Sequence, residues 1–171
     1  AYVAWYAMEQ FGIGFWWALV IAPLVVGALG VLVERTLLKH LYNIDPIYGL
    51  LLTFGLALIA EGLFREQFGA PGQQYAVPEA LQGAPNLGFI VLPNYRGFVV
   101  FASLAICLVT WWIIERTRLG SYLRAGTENP KLVQTFGINV PMMVMLTYGA
   151  GAALAALAGV LAAPIIQVNP L

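Results

Sequence analysis

Four apolar runs, Phe11 to Val33, Ile47 to Phe64, Gly97 to Ile114 and Met142 to about Ala163, leave this chain few ways to fold. Each is near the roughly 20 residues that cross a bilayer as a helix, and Glu61 is the sole acid read inside them. None has the polar face of a soluble amphipathic helix. In lipid the backbone amides of such a run must pair within it, which favours helices; a closed barrel would show short alternating segments. The expected fold is therefore all-α, a polytopic transmembrane helical bundle with spans at about 11–33, 47–64, 97–114 and 142–163. Composition agrees, with 61% hydrophobic residues, 9% charged residues and a mean hydropathy of +0.82.

Several function classes fall away. The first run lies too deep in the sequence and lacks the basic leader of a secretory signal. Net charge is zero, and the basic residues are dispersed without interleaved aromatics, which argues against nucleic acid as a partner. One cysteine, Cys107, and one histidine, His40, make an internal disulfide impossible and a metal site improbable, and no cofactor is expected. Lys39 follows Leu38 and Lys131 follows Pro130, so no glycine-rich phosphate loop is present. With no paired carboxylates, Cys–His pair or ligand cluster in the spans, an intramembrane enzyme lacks support.

Charge orients the bundle. The connections Glu34 to Pro46 and Glu115 to Pro141 hold Arg35, Lys39, Arg116, Arg118, Arg124 and Lys131, six of the eight Lys and Arg. The positive-inside rule puts both in the cytoplasm and the 65–96 loop outside. Trp16, Trp17, Tyr95 and Phe98 then fall near the outer interface, and Trp111 and Trp112 near the inner one, where amphipathic rings are favoured. The long outer loop, rich in Gly and Pro and holding the short run Phe89 to Leu92, is read as a small hairpin or surface helix. It would either receive an external solute-binding protein or cap the outer mouth.

The 115–141 connection carries the strongest local signals. Asn129 suits a helix N-cap, Pro130 the first helical position and Gly137 the position after the helix, which predicts a short helix over Pro130 to Phe136. Leu132, Val133 and Phe136 fall on one side of it, and Lys131, Gln134 and Thr135 on the other. A helix this short is marginal alone, since about 12–15 residues are needed in water. Before it, Leu119 to Ala125 reads as a helix at the membrane surface, with Arg116, Arg118 and Arg124 facing anionic headgroups at about 1 kcal/mol each. Two readings of the capped helix stand open: a strut against the chain's own loops, or a knob for a groove on a cytoplasmic partner.

The stretch "RTRLGSYLRAGTENPKLVQTFGINV" resembles the cytoplasmic loop of bacterial ABC permeases for branched-chain amino acids. Arg116, Gly120, Leu123, Arg124, Ala125, Pro130, Gly137, Ile138 and Asn139 match its pattern, and "LVERTLLKHLYNIDPIYGLLLTFGLALIAEGLFREQFG" and "LAGVLAAPIIQVNP" are similar as well. The resemblance implies a permease subunit in the bacterial inner membrane, importing branched-chain amino acids or similar small amides. Pro130 to Phe136 would be the coupling helix, seated in a cytoplasmic ABC ATPase subunit, with Arg124, Asn129, Pro130, Leu132, Val133, Phe136 and Gly137 forming the ATPase-coupling set. Arg116 and Arg118 would anchor it at the membrane lipid. A second permease subunit and a periplasmic or external solute-binding protein are the other implied partners. Leu132 and Val133 stand where alanines are common in the family. The chain opens on Ala1 and stops at Leu171 in apolar sequence, which is read as a piece of a longer permease.

Glu61 and Arg65, four apart, are expected to pair as a structural ion pair, with ion coupling or contact with substrate as the other readings of Glu61. Gly151, Ala155 and Gly159, with Ala152, Ala156 and Ala163 alongside, form a small-residue stripe that would serve helix packing or line a passage, and Pro164 with Gln167 to Pro170 is expected to break the last span. Thr53, Ser103, Thr110, Thr147 and Tyr148 would line a path or bond within the bundle. Substrate-binding residues are not assigned. The other function class is a secondary transporter or channel for a small polar solute, which would need no ATPase.

Overall fold

The structure, a computed structural model, describes residues 2–11, 14–42, 45–69 and 93–166. Within them the chain is helical: α1 (Tyr2–Phe11), α2 (Phe15–Thr36), a 3-10 turn (Leu38–Leu41), α3 (Pro46–Phe68), α4 (Asn94–Arg116), α5 (Arg118–Glu128), α6 (Pro130–Thr135) and α7 (Val140–Ile166). Four stretches among the described residues are long and apolar enough to span a membrane: Phe15–Leu41, Ile47–Phe68, Asn94–Arg116 and Val140–Ile165. At 1.5 Å per residue the 22 residues of α2 extend about 33 Å, against a hydrocarbon core of about 30 Å.

Two compact units divide the chain, Ala1–Ala76 with Tyr148–Leu171, and Val77–Thr147. In the first unit α1 packs on α2, and the 3-10 turn packs on both α2 and α3. Tyr2 stacks on Phe64 at 4.7 Å, and Trp5 meets Phe68 edge-on at 5.3 Å, tying α1 to the last turns of α3. In the second unit α5 packs against both α4 and α6.

Helix starts follow local chemistry. Asp45 accepts the Ile47 N–H at 3.3 Å with Pro46 in the first turn of α3, and Asn139 accepts the Met142 N–H at 3.1 Å to begin α7. At the other end of α3, Gly69 has φ 78°. Several boundaries differ from the sequence reading. The helix of the first apolar run begins at Phe15 and continues past Val33 to Thr36, so Glu34, assigned to a connection, lies inside α2. Tyr95, in the first turn of α4, is buried. Pro164 does not end α7, which runs on to Ile166. A proline removes one hydrogen bond and crowds one carbonyl, which membrane helices accommodate. The expected outer loop 65–96 is helical at its ends, in α3 to Phe68 and in α4 from Asn94; its stretch 70–92, where the hairpin or surface helix would fall, and the segment 167–170 lie outside the described residues.

Candidate functional site

The sequence-predicted residues of the third connection lie on α5, α6 and the turns flanking them. Thr117 is extended, and its hydroxyl bonds the Ile113 carbonyl, so α4 stops at Arg116. The chain turns tightly enough there that any side chain at Gly120 would run into the Ile114 carbonyl. Glu115 accepts a hydrogen bond from Arg124 at 2.8 Å, tying α5 to the end of α4. Both partners are half exposed, so the pair orients more than it stabilises. Arg124, expected to face headgroups, thus has a protein partner, while Arg116 and Arg118 are exposed.

Asn129 Oδ1 accepts the Leu132 N–H at 3.2 Å, and Pro130 fills the first turn of α6. Phe136 ends the helix rather than belonging to it, and Gly137 reverses the chain at φ 79°. The apolar face is split. Val133 is buried, whereas Leu132 is 55% and Phe136 75% exposed. Burying a valine side chain contributes about 1.5–3 kcal/mol, so Val133 is what keeps a six-residue helix from fraying. Leu132 and Phe136 remain exposed.

In the first unit α2 and α7 meet through small residues. A Cβ added at Gly30 would come within 2.7 Å of Ala152 Cβ, and one at Gly27 within 3.1 Å of Ala153 Cβ and 3.2 Å of the Gly149 carbonyl. One at Gly149 would strike Val31. The α7 face in this contact carries Gly149, Ala152 and Ala153. The Gly151, Ala155, Gly159 stripe lies about 110° further round at 100° per residue. Gly151 has open space beside it and Ala155 is exposed. Small-residue spacing was legible in the sequence, but not which stripe meets α2. The signal that would have found the contact is Gly27 and Gly30 with Glu34 beyond them, one arc of α2.

Glu34 is 3% exposed, and Tyr42 donates its hydroxyl to Oε1 at 2.9 Å. Burial first, then this hydrogen bond and the charge of Glu34, with Tyr148 adding to them, hold the Tyr42 hydroxyl up at about 12. Sequence reading missed Glu34 because it sits one residue past the apolar run. Glu61, by contrast, does meet Arg65, at 3.1 Å. Thr53, Ser103 and Thr147 donate to carbonyls of their own helices. Among the described residues no group of three or more His, Cys, Asp or Glu is placed to hold a metal, and Cys107 is exposed and free.

The family model for the branched-chain amino acid transport system permease component matches residues 1–171. The chain belongs to this permease family. Relatives include the high-affinity branched-chain amino acid transport system permease protein LivH of Escherichia coli K12, 27% identical over 167 residues, covering 91% of this chain and 53% of LivH. The corresponding BraD of Pseudomonas aeruginosa is 25% identical over 143 residues, covering 81% and 46%. A probable branched-chain amino acid transport permease protein LivH of Methanocaldococcus jannaschii is 28% identical over 164 residues, covering 93% and 51%. The chain spans about half the length of the curated relatives it matches. No solved structure matches it. Its family is one of membrane transport components rather than enzymes, in keeping with the all-α, multi-pass chain described above.

Proposed function

We propose that the full-length protein is the membrane-spanning permease subunit of an ATP-driven importer for branched-chain amino acids or similar small amino acids and amides. It works in a bacterial inner (cytoplasmic) membrane with cytoplasmic ABC ATPase subunits, a second permease subunit and a periplasmic or external solute-binding protein. The 115–141 connection is cytoplasmic and the 65–96 loop external. α6 is the coupling helix: Leu132 and Phe136 enter a groove of the ATPase, Val133 holds the helix to its own chain, and Arg116 and Arg118 anchor its approach at the lipid headgroups.

The observation that carries this reading is Phe136, an aromatic ring 75% exposed beside an Asn-capped helix in the basic connection of a permease-family chain. A ring so placed outside the apolar spans calls for a partner, and helix-in-groove docking uses anchors at this i, i+4 spacing. The Gly151, Ala155 and Gly159 stripe serves helix packing on a face that α2 leaves open.

One observation favours the secondary-transporter reading: Glu34 is a buried acid inside a span, and such groups often relay ions. It lies in the last turn of α2, away from the middle where a relay is needed. The deciding experiment tags the full-length protein in its native host, extracts it in mild detergent and identifies co-purifying proteins by mass spectrometry. P-loop ATPases should be recovered with the native protein and lost with Phe136→Asp. Recovery without any ATPase, while uptake persists, would make the protein a carrier or channel and α6 an internal strut.

A further inference from the structure

The α2 face that meets α7 does not end with its glycines. Glu34 continues the arc of Pro23, Gly27 and Gly30, one turn past the closest approach of the two helices. It is the buried charged residue of the described chain, and Tyr42 is the one described residue whose hydrogen bond reaches its carboxyl group. Neither ion pair of the described chain involves it. Removing a carboxyl group from water costs free energy that one hydrogen bond only partly offsets. An apolar side chain would fill the same space without that cost, so simple packing gives no reason for an acid here.

What the acid adds is a tie across an elbow. Glu34 is in the last turn of α2, and Tyr42 lies eight residues on, just past the 3-10 turn Leu38–Leu41, which packs on both α2 and α3. Asp45 then caps the start of α3. Tyr148, on α7, lies beside Gly30 and influences the Tyr42 hydroxyl electrostatically. The carboxyl group of α2 and the hydroxyl of the elbow thus meet one turn beyond the glycine contact, where the ring of Tyr148 lies beside Gly30. Contacts made through glycine and alanine let two helices approach closely, but they give no directional hold on the elbow. A hydrogen bond does.

We propose that Glu34 and Tyr42 are positioning residues for transport, their hydrogen bond latching the α2–α3 elbow to α2 so that the elbow follows when α7 shifts against α2. The inference rests on the importer reading, in which α7 is driven because it follows the coupling helix in the chain.

The test reconstitutes the full-length permease with its co-purified ATPase in liposomes and measures uptake and ATP hydrolysis together. Tyr42→Phe and Glu34→Ala should keep the ATPase bound and hydrolysis within two-fold of native, while uptake falls at least five-fold. Glu34→Gln, whose amide oxygen still accepts the hydroxyl, should restore uptake to within two-fold. A bond that only supports folding would lower yield, hydrolysis and uptake in parallel, and that result, or native uptake per ATP in Tyr42→Phe, overturns the latch. If Glu34→Ala fails to fold, Tyr42→Phe decides alone, since it removes one oxygen from a half-exposed ring. Native protein whose uptake needs no ATP would overturn the importer reading and the latch with it, whereas ATP-driven uptake that Tyr42→Phe leaves unchanged overturns the latch only.

Discussion

Val133 lies in a capped helix and Phe136 three residues on at its end, and they do opposite things. Val133 is buried and Phe136 faces outward, so Val133→Ala should lower thermal stability by about 1–3 kcal/mol. If α6 is the proposed coupling helix, Phe136→Ala should leave melting unchanged and weaken ATPase binding at least ten-fold in a pull-down titration, the behaviour of an aromatic anchor. Sequence showed that both are apolar and share a side of the helix; it did not show which one the chain keeps for itself. Tyr42 offers a separate residue-level check. Its hydroxyl titrates at about 12, above the usual 10 or so of the unfolded chain, so the folded state holds this proton longer. The stabilisation it brings is complete below about pH 10 and is lost as pH rises toward 12. Ultraviolet titration of tyrosinate should show one late component, removed by Tyr42→Phe and moved to lower pH by Glu34→Gln.

Two close approaches control the helices as elements. At Gly120 the obstacle is the backbone carbonyl of Ile114, which cannot rotate away. Gly120→Ala should therefore displace α5 from the end of α4 and break the Arg124–Glu115 pair. The expected result is protein that inserts normally but shows faster proteolysis within 117–139 and, on the proposed coupling role, at least ten-fold less bound ATPase. At Gly30 the obstacle is Ala152. Overpacking such a contact costs about 1–3 kcal/mol, so Gly30→Ala should lower the unfolding temperature in detergent, while Gly55→Ala, with open space beside it, should not. Helix existence was legible because apolar length and the Asn–Pro cap of α6 are local properties. Helix ends were less so: hydropathy stopped at Val33 because Glu34 is charged, yet the backbone hydrogen bonds of α2 continue through it.

For the whole molecule, the distribution of Lys and Arg makes a prediction about sides. In a Cys107→Ser background, Lys131→Cys should react with an impermeant thiol reagent only from the cytoplasmic face, and Arg96→Cys only from the outer face. Labelling of both from one side would overturn the orientation. Residue order by itself determined that this chain is a multi-span helical membrane protein, where its basic connections fall, and which permease loop they resemble. Tertiary structure alone decided that α2 meets α7 through Gly27, Gly30, Gly149 and Ala152, that Gly151 and Ala155 turn away, and that Glu34 is buried against Tyr42. The reason is physical. Lipid is as apolar as a neighbouring helix, so hydropathy marks a span without marking its partners, and only shape, through the space each glycine opens, selects the faces that touch.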